Sequence, residues 1–149
     1  MPDLCFEPIK EYCDEIKGDV KVFNFGLSDS TRTASINVAG DGSSLYRTLT
    51  QEFIDVRLVS LKEFLLQEKI EHVNLISINI EGEEYHLLPH MIEENLASVF
   101  DHILIQFHND FPDCETKRDA IRQGLSKTHT LSWCQDWIYE SWAKKTLAP

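Results

Sequence analysis

Cations are scarce in this sequence of 149 residues. Lys and Arg number 14 against 25 Asp and Glu, a formal net charge of -11. Broad binding to nucleic acid or to an anionic membrane relies on clustered cations, so neither partner is expected. No apolar run approaches the roughly 18 residues that a membrane span requires. The opening Met1-Pro2-Asp3-Leu4 lacks the cationic and apolar regions of a secretion signal, so the expected compartment is the cytoplasm. Four cysteines are present, Cys5, Cys13, Cys114 and Cys134, and none form a C-x-x-C pair. They are expected to be reduced and mostly buried thiols, and a zinc site needs closer ligand spacing. Only six glycines occur, and none form a glycine-rich turn after the first apolar stretch. Gly40-Asp41-Gly42 lies between two expected antiparallel strands, which makes it a weak phosphate loop.

A hydrophobic fraction of 42%, an aromatic fraction of 10% and five prolines describe an ordinary globular chain. At about 150 residues per domain, 1–149 forms one domain. Leu4-Cys5-Phe6 reads as a very short strand. Ile9, Tyr12, Cys13 and Ile16 recur at helical spacing between Pro8 and Gly18, so 8–17 reads as a helix. Residues 20–25 read as a strand closed by Gly26-Leu27-Ser28-Asp29. Residues 33–38 and 53–59 suggest an antiparallel excursion with a loop at its tip. Ser60 and Glu63 match a capping box that opens a helix, with Val59 stapled to Phe64.

The strongest strand is 75–80, apolar on both faces as a strand covered on both sides should be. Residues 83–91 read as a helix that Pro89 bends or breaks. A strand at 103–107, a helix at 116–127 and a hairpin from 128–133 and 137–142 complete the order. Trp133, Trp137 and Trp142 are expected to pack that hairpin on the sheet rather than stack on a substrate. His86 and His90, spaced i, i+4 near Glu83, have metal-ligand spacing, but Pro89 disturbs it; no metal is expected.

Strands alternating with helices argue for an α/β fold with a mainly parallel sheet and right-handed crossovers. Such a sheet binds its ligand beyond the C-terminal ends of its strands. The residues placed there are Glu7, Ser28, Asp29, Asn79, Glu81 and the segment His108 to Asp110. They are far apart in sequence, and this topology brings them to one rim.

An ordered set of short motifs runs along nearly the whole chain: Phe6-Glu7-Pro8, Phe25-Gly26-Leu27-Ser28-Asp29, Gly42-Ser43-Ser44-Leu45, Val59-Ser60-Leu61-Lys62-Glu63-Phe64, Ile78-Asn79-Ile80-Glu81-Gly82-Glu83-Glu84 and Gln106-Phe107-His108. The set resembles the FkbM-type methyltransferase family. That resemblance implies a Rossmann-like class I methyltransferase sheet, mainly parallel with a C-terminal antiparallel hairpin. It implies S-adenosyl-L-methionine as cofactor and a small-molecule hydroxyl, on a sugar or secondary metabolite, as acceptor. It also implies that 4–6 corresponds to the second strand, with the N-terminal β-α unit and its glycine-rich cofactor loop missing.

The resemblance assigns Glu7 to the cofactor ribose, where a carboxylate accepts from two vicinal hydroxyls; the alternative is a helix-capping acid. It sets Ser28 and Asp29 near the adenine, against a reading as ordinary turn residues. The family pattern is Asp-x-Glu-Gly preceded by Lys two residues earlier, and here Asn79 and Ser77 replace both charged groups. Asn79 keeps an acceptor oxygen on the cofactor side but cannot serve as a base. Glu81 and His108 are the catalytic candidates, positioning or deprotonating the acceptor. Their alternatives are a solvated first-turn acid and a structural histidine. The rival expectation is an inactive or degenerate domain that acts as a binding module, and a weaker one is a site for another nucleotide such as ATP. A missing first strand leaves an open sheet edge, so self-association is expected.

Overall fold

The computed structural model describes residues 10–13, 15, 18–40 and 43–146. The expected strand at 4–6, Cys5 and Glu7 lie outside the described residues. Of the expected helix over 8–17, residues 10–13 are helical.

The chain forms a mixed α/β fold with two mixed sheets. The smaller contains β1 (Gly26–Ser28), β2 (Arg32–Asn37) and β3 (Phe53–Ser60) in the order β1-β3-β2. Strand β1 runs parallel to β3, and β2 runs antiparallel to it. Helix α1 (Leu61–Gln67) leads to the larger sheet, built from β4 (Val73–Ile78), β5 (Phe100–Ile105), β6 (His129–Gln135) and β7 (Tyr139–Lys144) in the order β4-β5-β7-β6. Helix α2 (Glu84–Glu93) and the 3-10 turn Leu96–Val99 link β4 to β5, and α3 (Cys114–Leu125) links β5 to β6. The β4–β5 pair is parallel, while β5–β7 and β6–β7 are antiparallel. A mainly parallel sheet is therefore not observed: antiparallel pairings outnumber parallel ones among the described strands. The expected hairpin is present, and β7 inserts between β5 and β6.

The core lies on one face of the larger sheet. Ile103, Ile105 and Trp142 pack against Leu88 and Met91 of α2 and Ile121 and Leu125 of α3. Each such side chain contributes about 1.5–3 kcal/mol by leaving water. The opposite face is open. Leu75 is 56% exposed, and Ser77 and His102 on the same face are exposed too. Among the described residues, strand β4 is thus covered on one side only, contrary to its two-faced apolar pattern. Trp133 is half exposed on β6, so only Trp137 and Trp142 pack inward.

Other elements differ from the sequence pattern for local reasons. Residues 19–23 are not a strand, and the ladder is confined to Gly26–Ser28. Phe23 and Phe25 instead pack on Phe64 of α1, with ring centroids 5.2 and 5.8 Å away. Gly26 enters the ladder because Leu58 Cδ2 lies 2.8 Å from where its Cβ would stand. The capping box does not form, since Ser60 makes no side-chain cap. Thr31 replaces it: its hydroxyl accepts the Ser60 N–H at 3.0 Å and donates to Glu63. Helix α2 runs through Pro89, where Leu87, Leu88 and Met91 fix both flanks in the core. The thin apolar face of α3 is explained by Arg118, which is buried. It bonds Glu140 at 2.7 Å, and its guanidinium stacks 4.3 Å from the Trp137 ring centroid. Cys114 is buried, Cys13 is partly so, and Cys134 is exposed, all as free thiols. Among the described residues, no helix is long and apolar enough to cross a membrane.

Candidate functional site

The segment Asn79-Ile80-Glu81-Gly82-Glu83-Glu84, between β4 and α2, is the point where the two sheets meet. Its backbone turns sharply: Glu81 has φ +51 and Gly82 φ +106. The Phe111 ring occupies the space that a side chain on Gly82 would need. Each of its three glutamates has a different set of partners.

Glu83 is buried and ties the smaller sheet to α2. It accepts from Ser28 and Tyr46, and from Arg32 at 2.9 Å. Arg32 also reaches Asp29 at 2.7 Å. Burial disfavours the Arg32 charge, yet Glu83 and Asp29 outweigh it and raise its pKa. Burial likewise raises the Tyr46 pKa, with the Glu83 carboxylate adding to the effect, so its hydroxyl stays protonated. For Asp29 burial again opposes, but hydrogen bonds from Ser30 and Ser28, together with Arg32, hold its carboxyl below the usual range.

Glu84 is fully buried. It accepts the Gly82 N–H at 2.8 Å, and its Oε1 takes both the His108 N–H and His108 Nδ1 at 2.9 Å. The other ring nitrogen of His108, Nε2, faces Glu81 Oε1 at 3.1 Å. The Glu84 hydrogen bond raises the His108 pKa, while burial opposes and Glu81 assists. In its charged form the ring donates from both nitrogens. Glu81 is also bonded by Arg47, which reaches Asp110 at 2.8 Å. The Arg47 Nε is buried with no partner among the described groups.

A cavity of about 320 Å³ opens beside this hub. The inner face of the smaller sheet, through Ile36, Val56 and Leu58, lines one wall, and Asn79, Ile80 and Glu81 line the opposite one.

Of the residues singled out in the sequence, Ser28 ends β1, Asp29 follows it, Asn79 and Glu81 follow β4 and His108 follows β5, and all five are drawn to one rim. Glu7 lies outside the described residues. Asn79 is exposed and lines the cavity. Ser28 is fully buried and its hydroxyl is engaged by Glu83, Asp29 and Arg32. Glu83, Glu84, Arg32, Tyr46 and Arg47 were not singled out as site residues. Glu84 had a signal, since an acid three residues after Glu81 shares its side of an opening helix. Arg47 had none, because it sits in a loop. His86 stacks on Tyr46 at 5.5 Å rather than facing His90 across a metal. Among the described residues, no group of three or more His, Cys, Asp or Glu is placed to hold a metal ion.

No family model, curated protein or solved structure matches the chain.

Proposed function

We propose that this is a class I methyltransferase-like domain of the FkbM type, which transfers a methyl group from S-adenosyl-L-methionine to a hydroxyl of a small molecule. The observation that carries the reading is the Glu84–His108–Glu81 chain beyond the C-terminal ends of β4 and β5, whose last member, Glu81, also lines the cavity. Carboxylates outnumber cations around the rim. Asp29, Glu81, Glu83, Glu84 and Asp110 stand against Arg32, Arg47 and His108. That excess suits a sulfonium, and Asp29 offers an acceptor to its amino and hydroxyl groups. When bound, the cofactor supplies an electrophilic methyl on a positive sulfur.

The chain's own contribution is position and proton transfer. Neutral His108 would take the acceptor's hydroxyl proton at Nε2. Glu84 stabilises the imidazolium that results. Glu81, held by Arg47, aligns the hydroxyl. Because the His108 pKa is raised, the rate rises with pH through that value. The exposed free thiol of Cys134 fits a reducing, cytoplasmic compartment.

A second reading, a binding module without catalysis, is favoured by the burial of Ser28 and by Asn79 at the position of the family's Asp. Isothermal titration with S-adenosylmethionine, its demethylated product and ATP separates the readings. Heat with the first two, with transfer of labelled methyl to a hydroxyl compound, supports the enzyme. Heat without transfer supports the module, and heat with ATP alone overturns both.

A further inference from the structure

We infer that the cavity selects a neutral, apolar acceptor with one hydroxyl, such as a phenol or an alicyclic alcohol, and rejects sugars. This deepens the preceding proposal, on which it rests, by assigning the cavity to the acceptor. Six aliphatic side chains line the cavity: Leu27, Ile36, Leu45, Val56, Leu58 and Ile80. They come from β1, β2, β3, the loop after β2 and the loop after β4, so the apolar lining is built by convergence of separate segments.

The polar groups on the lining are mostly engaged already. Ser43 Oγ accepts the Ala39 N–H at 2.9 Å and donates to the Gly40 carbonyl at 2.7 Å. Ser44 Oγ donates to the Glu81 carbonyl at 2.8 Å and accepts the Tyr46 N–H at 3.1 Å. The Glu81 carboxylate is held by Arg47 and His108. Among the described lining residues, Asn79 alone has a side chain free of such bonds. The protein thus offers one uncommitted anchor, beside the Glu81–His108 pair that would receive a reacting hydroxyl.

A pyranose would carry several hydroxyls against aliphatic walls. Each hydroxyl left without a partner costs about 1–3 kcal/mol, or roughly tenfold or more in affinity. A single-hydroxyl apolar ring avoids that cost and gains from contact with all six side chains. The Glu81 carboxylate at the rim disfavours an anionic ligand. A cavity of about 320 Å³ sits at the small end of ligand sites.

The experiment uses 2-naphthol, 2-methylnaphthalene and methyl α-glucoside as probes, without cofactor, followed by methyl and amide NMR. We expect 2-naphthol to shift the signals of Leu45, Val56 and Ile80 and to bind at least about tenfold tighter than the glucoside. It should also bind more tightly than 2-methylnaphthalene, and Asn79→Leu should erase that second preference. Val56→Phe, which fills the cavity, should weaken 2-naphthol about tenfold or more. Equal or tighter binding of the glucoside, or naphthol shifts outside the cavity, overturns the inference. The shift map on the unaltered chain decides this even if a variant fails to fold. In a second run with S-adenosylmethionine added, naphthol binding without methyl transfer overturns the methyltransferase reading alone. Methyl transfer to a sugar overturns the acceptor inference alone.

Discussion

His108 and Glu84 are locked together by two contacts on one oxygen: Glu84 Oε1 accepts the His108 backbone N–H and faces its Nδ1, each at 2.9 Å. The pair fixes the ring so that Nε2 faces Glu81. Glu84 is therefore a positioning residue whose removal acts through the histidine.

Glu84→Gln is expected to lower the His108 pKa toward or below its ordinary value and to cost about 2–3 kcal/mol of stability. Carbon-13 NMR of the imidazoles reads the first effect and urea unfolding the second. An unmoved His108 titration in a folded variant would show that Glu84 has no hold on the ring.

His108 and His129 should give opposite pH signatures. The folded pKa of His108 is raised by Glu84, so its stabilising contribution is complete below about pH 6.5 and fades as pH rises through the folded value. His129 is buried with Nε2 3.0 Å from the Phe100 carbonyl oxygen, and burial lowers its pKa. Its contribution is present above about 6.5 and is lost as pH falls through the folded value. The stability advantage of the wild type over His108→Gln should therefore shrink from pH 6 to pH 9 in urea titrations. The advantage over His129→Asn should shrink in the opposite direction, from pH 7 to pH 5.

Gly82→Ala should be among the most damaging single substitutions. The residue has φ +106, and the Phe111 ring fills the place of the new methyl. Strain and overpacking together predict a loss of about 2–4 kcal/mol. Thermal unfolding measures it, and Gly82→Ala with Phe111→Leu should recover part of the loss. No recovery would mean that the backbone angle alone accounts for the damage.

The outer edge of β4 is the expected site of self-association. Among the described residues β4 pairs only with β5, and the strand Val73–Ile78 contains neither Lys nor Pro to guard its edge. Light scattering should reveal a concentration-dependent dimer or larger species, and Leu75→Lys should shift it toward monomer. A wild type that stays monomeric at high concentration would refute this.

Helix and strand types were legible wherever one side-chain pattern dominated: β2, β3, β5, α3 and the terminal hairpin all fall within a few residues of the sequence expectation. The errors arose where tertiary contacts overrode a local pattern. Phe23 and Phe25 have strand-like composition, but Phe64 recruits them into an aromatic cluster. Ser60 and Glu63 have the spacing of a capping box, but Thr31 lies closer to the helix start. The apolar run in β4 suggested cover on both faces, whereas among the described residues one face leaves Leu75 and Ser77 exposed. Strand-end geometry was readable for Asn79, Glu81 and His108 because each directly follows a strong apolar strand. Arg47 was invisible because nothing local signals that a loop guanidinium will cross to Glu81 and Asp110.

Strand β7 is the last in sequence yet lies inside the larger sheet, between β5 and β6. A nascent chain that has emerged only as far as β6 lacks the ladder that joins β6 to the rest of the sheet. Completion of the larger sheet must therefore await emergence of residues 139–144 from the ribosome, although β4 and β5 can pair before then.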